Sequence, residues 1–198
     1  MPSRLRSVFV LCLLGALTAC SGTPSSPARF DDIRFTNRSA IGLAVERIEM
    51  RSDFQPTFKP PYVEHEFPVP PQRALENWAH DRLQAVGGNP GYTARFTILD
   101  ASVRGFDLPK TGGVGGLFTA EPSQRYDGHE SVRLQILDPH GLPVRTADAE
   151  ASYSRTVTDG ISLNDRDRVW YDMTVRMTAD LDAKLEQEID QSFYPYRQ

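Results

Sequence analysis

Side chains that could move protons or hold a metal ion are scattered along this sequence. His80 and Asp81 are adjacent, but consecutive side chains on a helix do not face each other, so the pair is typical of a surface rather than of a catalytic dyad. His65 lies between Glu64 and Glu66, and a metal site there would need a third and a fourth ligand that the sequence does not indicate. We expect no catalytic centre from these residues.

Other catalytic and ligand-binding spacings are equally hard to find. No two histidines have the H-x-x-x-H spacing of a metal site, and no serine lies in a G-x-S-x-G context. The run Lys110-Thr111-Gly112-Gly113 has the wrong order for a phosphate-binding loop, which ends in Gly-Lys-Ser/Thr before a helix. The sequence therefore predicts a protein that is not an enzyme and that holds no metal.

The chemistry that does show a pattern lies at the start of the chain. Arg4 and Arg6 precede residues 8–19, an uncharged stretch rich in Leu, Val and Ala. These twelve residues are too few for a transmembrane helix, which needs about 20 apolar residues. Their length suits the apolar region of a cleavable leader. We expect residues 1–19 to be a signal peptide.

The end of this leader resembles the lipobox of bacterial lipoproteins. The residues are Leu17-Thr18-Ala19-Cys20, followed by Ser21. The resemblance implies that the Cys20 thiol carries a diacylglycerol after cleavage, which would be the only cofactor-like group of the protein. Several acyl chains give stable membrane attachment where one does not. Ser rather than Asp after the cysteine implies the periplasmic face of the outer membrane.

Composition limits the remaining function classes. Cys12 leaves with the leader and Cys20 is lipidated, so no disulfide is expected and the domain must rely on its hydrophobic core. Loss of Arg4 and Arg6 changes the formal charge from −4 to about −6. The sequence has no cluster of Lys and Arg residues, so its charge gives no indication of nucleic-acid binding.

Three stretches organise the chain. Residues 20–40 begin with a polar segment containing Gly and Pro, which predicts a flexible tether. Residues 41–198 are expected to form a single α+β periplasmic domain. Residues 41–51 are predicted to be a strand whose apolar phase changes midway, which indicates a bulge or burial on both faces. Six prolines within 54–71 predict an extended connection.

Periodicity predicts the other elements. Apolar residues recur at helical spacing over 71–86 and stop at Gly87-Gly88. Residues 92–104 form a strand, with Ala94, Phe96 and Ile98 on one face and Leu99, Ala101 and Val103 on the other. Residues 124–138 and 144–157 alternate strictly and predict a hairpin.

A capping box at Ser162 and Asp165 opens a last helix that extends to about residue 193. On this helix the periodicity places Asp180 and Asp182 toward solvent. Helices of this kind must cover one face of an antiparallel sheet. We therefore predict a two-layer α+β sandwich, with a mainly antiparallel sheet of about four strands and two helices on one face.

This outline resembles a known kind of protein. A lipobox, one small α+β domain, a helix between the first two strands, three meandering strands and a final helix are together similar to the auxiliary lipoproteins of ABC-type envelope lipid transporters. They are also similar to the lipopolysaccharide-assembly lipoprotein. The helix-then-strand portion matches Pro70-Pro71 to Gly87 and then Phe96-Thr97-Ile98-Leu99-Asp100. Cys20 is the one functional residue that carries over.

Residues 108–122 are predicted to form a long loop with four glycines, where a hairpin normally needs two to five residues. It contains Val114, Leu117 and Phe118, which either fold back on the sheet edge or contact a partner or lipid. The sequence thus favours a non-enzymatic, lipid-anchored accessory protein of an envelope transport or assembly complex. The alternative is an envelope hydrolase or a glycan-binding lipoprotein.

Overall fold

The computed structural model describes residues 29–109 and 122–198. The predicted signal peptide, Cys20 and the loop residues Val114, Leu117 and Phe118 lie outside these ranges. Within them, no helix combines the length and the apolar character needed to cross a membrane.

A four-stranded sheet forms the framework of the domain. In chain order its strands are β2 (Arg47–Ser52), β4 (Thr93–Asp107), β5 (Pro122–Leu137) and β6 (Pro143–Thr158). Their spatial order is β2-β4-β5-β6; β2 runs parallel to β4, and the other two pairs are antiparallel. The hairpin predicted from the alternation is confirmed as β5–β6.

Two helices cover one face of this sheet. They are α1 (Pro71–Arg82) and α2 (Leu163–Ser192), the second of which is 30 residues long. Their buried side chains meet the inward residues of the sheet, such as Phe96, Leu134 and Ala147, which lie opposite one another across β4, β5 and β6. The structure therefore has the predicted α+β fold.

The capping box of α2 is also confirmed. The Ser162 hydroxyl accepts a hydrogen bond from the Asp165 backbone N–H at 3.1 Å and donates one to the Asp165 carboxylate at 2.7 Å. These bonds satisfy a donor that the first turn leaves unpaired.

The first predicted strand, residues 41–51, is instead two strands in two sheets. β1 (Ile41–Leu43) pairs in parallel with β3 (Leu83–Ala85), while β2 joins the main sheet. The apolar phase changes because the chain turns between these sheets, with a Val45 N–H to Leu43 carbonyl bond of 2.8 Å in the connection. The prediction of one bulged or doubly buried strand was wrong.

The first helix is shorter than the predicted 71–86. It ends at Arg82 because Leu83 adopts an extended conformation and pairs with Ile41 in the small sheet. Leu83 is therefore buried by strand pairing rather than on a helical face.

A register shift in β4 corrects a third prediction. Between Ile98 and Asp100 the pairing with β5 is interrupted by a bulge. The extra residue moves Ala101 and Val103 onto the same buried face as Ile98, rather than onto the opposite face.

Residues that precede β1 also pack on the domain. Ile33 and Phe35 are buried, and the Asp32 carboxylate accepts hydrogen bonds from Arg73 on α1 at 2.7 and 2.8 Å. The chain thus meets the helical layer before residue 41, within the stretch that the sequence assigned to the tether.

A buried carboxylate joins this N-terminal segment to both helices. Asp182, on α2, accepts hydrogen bonds from Trp78 Nε1 at 2.6 Å, Arg82 Nε at 2.9 Å and Arg38 Nη2 at 2.7 Å. Arg82 is itself only 1 % exposed; it reaches Glu186 at 2.7 Å and donates to the Ser39 carbonyl. The prediction that Asp182 faces solvent was wrong, because its counter-charges come from distant parts of the chain.

These partners determine the ionisation of Asp182. Burial alone would raise the pKa of its carboxyl, but the hydrogen bonds from Trp78 and Arg38 and the charge of Arg82 leave the pKa below its usual value. The carboxylate is therefore charged at neutral pH. Removal of Asp182 or of Arg82 would leave the other with an uncompensated buried charge.

We predict that Asp182→Ala lowers the free energy of unfolding by about 3 kcal/mol or more, because Arg82 would lose its buried counter-charge. Urea unfolding followed by circular dichroism measures this change. Asp180→Ala is the matched control, since Asp180 lies two residues away on the exposed side of α2 and should change stability by less than about 0.5 kcal/mol. Equal effects of the two variants would contradict the role of Asp182.

A second buried carboxyl group lies between β5 and α2. Glu130 has no exposed surface and is 2.9 Å from the Thr178 hydroxyl, which is also 3.0 Å from the Thr174 carbonyl. Burial, with a smaller contribution from the charge of Asp180, raises the pKa of Glu130 to about 8. At neutral pH its protonated carboxyl can donate to the Thr178 oxygen, which leaves the Thr178 hydrogen for the Thr174 carbonyl.

This raised pKa makes stability depend on pH. The folded protein holds the Glu130 proton up to about pH 8, whereas the unfolded chain releases it near 4.5, so folding is favoured most below pH 4.5 and loses stability as pH rises toward 8. Four aspartates of the described residues have lowered pKa values, so they change the free energy of unfolding only at more acidic pH. They are Asp32, Asp81, Asp127 and Asp182.

We predict that the free energy of unfolding falls between pH 5 and pH 8 by on the order of a few kcal/mol, and that Glu130→Gln removes most of this slope because an amide does not titrate. Urea midpoints measured across this pH range test it. Glu150→Gln, an exposed carboxyl on β6, should keep the wild-type slope. A slope that survives in Glu130→Gln would refute the assignment.

Candidate functional site

The proline-rich connection between β2 and α1 runs along the edge of β4. Val63 N–H donates to the Val103 carbonyl at 2.9 Å, and Gly105 N–H donates to the Pro61 carbonyl at 2.8 Å. Upstream, Asp53 N–H donates to the Ile98 carbonyl at 2.9 Å. The segment is therefore fastened to the sheet at two places, and residues 55–60 bridge them as an outer loop.

Between this segment and α1 lies a cleft of about 360 Å³, which we call the α1 cleft. Apolar side chains from the connection and the sheet form much of its wall, together with polar groups from the single 3₁₀ turn Glu64–Glu66 and from the first turns of α1. The lining residues are Phe54, Pro56, Phe58, Glu64, His65, Pro70, Gln72, Arg73, Glu76 and Ala101.

A second cleft, of about 250 Å³, lies between the same segment and the start of α2, and we call it the α2 cleft. Trp170 and Arg166 line it together with Pro60, Pro61 and Phe106. The Arg166 guanidinium lies 4.4 Å from the Trp170 ring, and this ring also stacks on the buried Phe67 at 4.9 Å. Charged and amide side chains, among them Asp107 and Gln124, also form part of its lining.

Phe58 and His65 belong to both clefts. The Phe58 side chain is 67 % exposed, and its backbone has a φ of 55°, which is a left-handed conformation. A bulky non-glycine residue in this region carries a conformational cost on the order of 1 kcal/mol. The fold thus presents an aromatic ring to solvent at a cost, where it joins two clefts.

Several polar atoms at these clefts are buried without a hydrogen bond. Glu64 is 2 % exposed; its Oε2 accepts from the Val103 N–H at 3.2 Å, and its Oε1 has no partner. His65 Nδ1 and Arg166 Nε are likewise buried without one. Buried polar groups are normally paired, so these atoms identify the clefts as the candidate site.

The α2 cleft also holds a buried phenol. Burial raises the pKa of Tyr126, against the nearby charge of Arg166, so the hydroxyl stays protonated. It donates to the Gln124 side-chain carbonyl at 2.8 Å, and the Gln124 amide donates to Asp107 at 3.0 Å.

His65 Nε2 is 3.8 Å from Glu66 Oε1, too far for a hydrogen bond. Asp81 accepts hydrogen bonds from Arg34 Nε and from the Phe35 N–H, both at 2.8 Å, and the Arg34 hydrogen bond lowers the pKa of the Asp81 carboxyl.

Over residues 29–109 and 122–198, no group of three or more His, Cys, Asp or Glu side chains is arranged to hold a metal ion. Sequence reasoning considered Glu64 and His65 only as metal ligands and missed Phe58. The available signal was the pair of phenylalanines, Phe54 and Phe58, among the prolines.

No protein-family profile and no curated protein matches this sequence. Distant structural likeness exists to three solved bacterial lipoproteins. One, from Caulobacter crescentus CB15, is 16% identical with a TM-score of 0.34, over 59% of this chain and 75% of that one. A minor lipoprotein from Acinetobacter baumannii is 11% identical with a TM-score of 0.39, over 79% and 98%. Uncharacterized lipoprotein B from Nitrosomonas europaea is 13% identical with a TM-score of 0.40, over 76% and 86%.

Proposed function

We propose that this chain is a lipid-anchored accessory protein of the bacterial cell envelope. It binds a partner protein or a lipid within a transport or assembly complex and catalyses no reaction itself. The anchor is Cys20, and the location is the periplasmic face of the outer membrane. The observation that carries the binding role is Phe58, an exposed ring in a strained conformation where a mainly apolar cleft and a second, more polar cleft meet.

The clefts also lie close to where the tether joins the domain. Arg73, which lines the α1 cleft, pairs with Asp32 at 2.7 Å. Phe30 lies against Tyr171, the neighbour of Trp170, with ring centroids 5.1 Å apart. A lipid anchor at Cys20 would therefore hold the clefts near the membrane surface.

The loop that carries Val114, Leu117 and Phe118 is a second candidate contact. The strand ends that flank it, Asp107 and Pro122, lie at the same end of the sheet as the α2 cleft, which Asp107 lines. The alternative functions, an envelope hydrolase or a glycan-binding lipoprotein, would use the polar groups of the same clefts.

We predict that the anchor depends on one residue. Cys20→Ser removes the thiol that forms the thioether to diacylglycerol, so metabolic labelling with palmitate should be absent. Cys12→Ser is the matched control, since Cys12 lies within the predicted leader, and it should label normally. Palmitate label that persists on Cys20→Ser would refute the lipid anchor.

The binding role predicts a result for Phe58. A photo-crosslinking residue at Phe106, on the α2 cleft, should capture a specific protein or lipid in native membranes, and Phe58→Asn should abolish the capture. Because asparagine tolerates left-handed φ values, Phe58→Asn should keep the free energy of unfolding within about 1 kcal/mol of wild type.

The matched control places the same crosslinker at Leu142, which is 63 % exposed in the turn at the opposite end of β5, and it should capture nothing specific. Capture of glycan strands at Phe106 would instead support the alternative. Equal capture with and without Phe58→Asn would contradict the proposed role of the clefts.

A further inference from the structure

The α1 cleft contains a carboxyl group of which only one oxygen has a hydrogen-bond partner within the protein. Glu64 lies in the wall of this cleft and is 2 % exposed. Its Oε2 accepts a hydrogen bond from the Val103 N–H, whereas its Oε1 has no partner. Among the described residues, no Lys, Arg or His lies within ion-pair distance of Glu64. A carboxylate removed from water without a counter-charge is unfavourable, and a ligand with charged N–H donors would relieve this.

The groups around Glu64 narrow the chemistry of that ligand. Glu76 adds a second carboxylate to the same cleft, and His65 Nδ1 is a further buried nitrogen without a partner. Phe54 and Phe58 supply aromatic rings, whose faces attract cations. A primary ammonium group on a short apolar stem matches an acidic, aromatic cleft of about 360 Å³.

The rim of the α1 cleft offers the opposite charge. Arg73 is 57 % exposed and uses Nε and Nη2 to bind Asp32. Over residues 29–109 and 122–198, its Nη1 makes no hydrogen bond with the protein. A guanidinium that is partly free at the surface suits a phosphate oxygen. The cleft thus presents an acceptor for an ammonium inside and a donor for a phosphate outside.

The tether indicates where such a zwitterion would come from. This step rests on the proposed lipid anchor at Cys20. Asp32, which is bound to Arg73 at the rim, lies twelve positions after Cys20, and a chain of this length spans at most about 40 Å when fully extended. The cleft therefore stays within reach of the lipid headgroups beside the anchor.

We propose that the α1 cleft binds the ethanolamine headgroup of a phospholipid. The ammonium group donates hydrogen bonds to Glu64, and the phosphate accepts one from Arg73. The glycerol and acyl chains extend out of the cleft along the exposed Phe58 ring. This assigns a ligand class to the cleft and gives a partner to the unpaired oxygen of Glu64 and to the free side of the Arg73 guanidinium.

Binding of short-chain lipids to the full chain carrying Cys20→Ser, which stays free of its own acyl groups, tests the proposal. Dihexanoyl phosphatidylethanolamine should bind at least tenfold tighter by calorimetry than dihexanoyl phosphatidylcholine, whose quaternary ammonium has no N–H. Glu64→Gln should remove this preference, since its amide keeps an acceptor for the Val103 N–H but loses the charge. Circular dichroism melting verifies that this variant folds.

Glu150→Gln is the matched control, because it makes the same change at an exposed side chain on β6 that lines neither cleft, and it should keep the preference. Equal affinity for the two lipids, or a preference that survives Glu64→Gln, would overturn the proposal. Equally tight binding of O-phosphoethanolamine would make the free headgroup the ligand, and binding of Nα-acetyl-lysine amide alone would make it a peptide side chain; both results overturn the lipid assignment. None of these outcomes changes the palmitate result at Cys20. The lipid anchor and the headgroup site can therefore be refuted independently of each other.

Discussion

The packing of α1, α2 and the N-terminal segment against one another depends on the buried carboxylate of Asp182. It takes hydrogen bonds from α1, through Trp78 and Arg82, and from the N-terminal segment, through Arg38. Four donor hydrogens converge on one group inside the helical layer, where an unpaired charge would be strongly destabilising. This requirement fixes how α1 lies against α2 and brings the N-terminal segment onto both.

The positions of the two helices determine the walls of the two clefts. The first turns of α1 provide Gln72, Arg73 and Glu76 to one cleft, and the first turns of α2 provide Arg166 and Trp170 to the other. The proline-rich connection fills the space between the two helix ends and the edge of β4. A shift of α1 relative to α2 would change both clefts together, although Asp182 itself lines neither.

Elements whose pattern is local could be predicted from the sequence. The β5–β6 hairpin follows from strict alternation, and the start of α2 follows from Ser162 and Asp165. The end of α1 could not be predicted, because Leu83 leaves the helix to pair with Ile41, 42 residues away in the chain. The helical periodicity also predicts Asp182 toward solvent, and that prediction was wrong because Asp182 is buried by partners from α1 and from the N-terminal segment, which lie far away in the chain.

The candidate site depends on the same kind of non-local pairing. In sequence, Glu64 lies in a mixed-charge stretch that looks exposed, and its burial follows from the edge of β4. After Val63 the connection turns away from the strand, so the Val103 N–H lacks a backbone acceptor there and takes one oxygen of Glu64 instead. That task needs a single neutral acceptor, which a glutamine would supply without burying a charge. The second oxygen is therefore more than the fold requires, and the reason for a carboxylate at this position has to be sought in what enters the cleft.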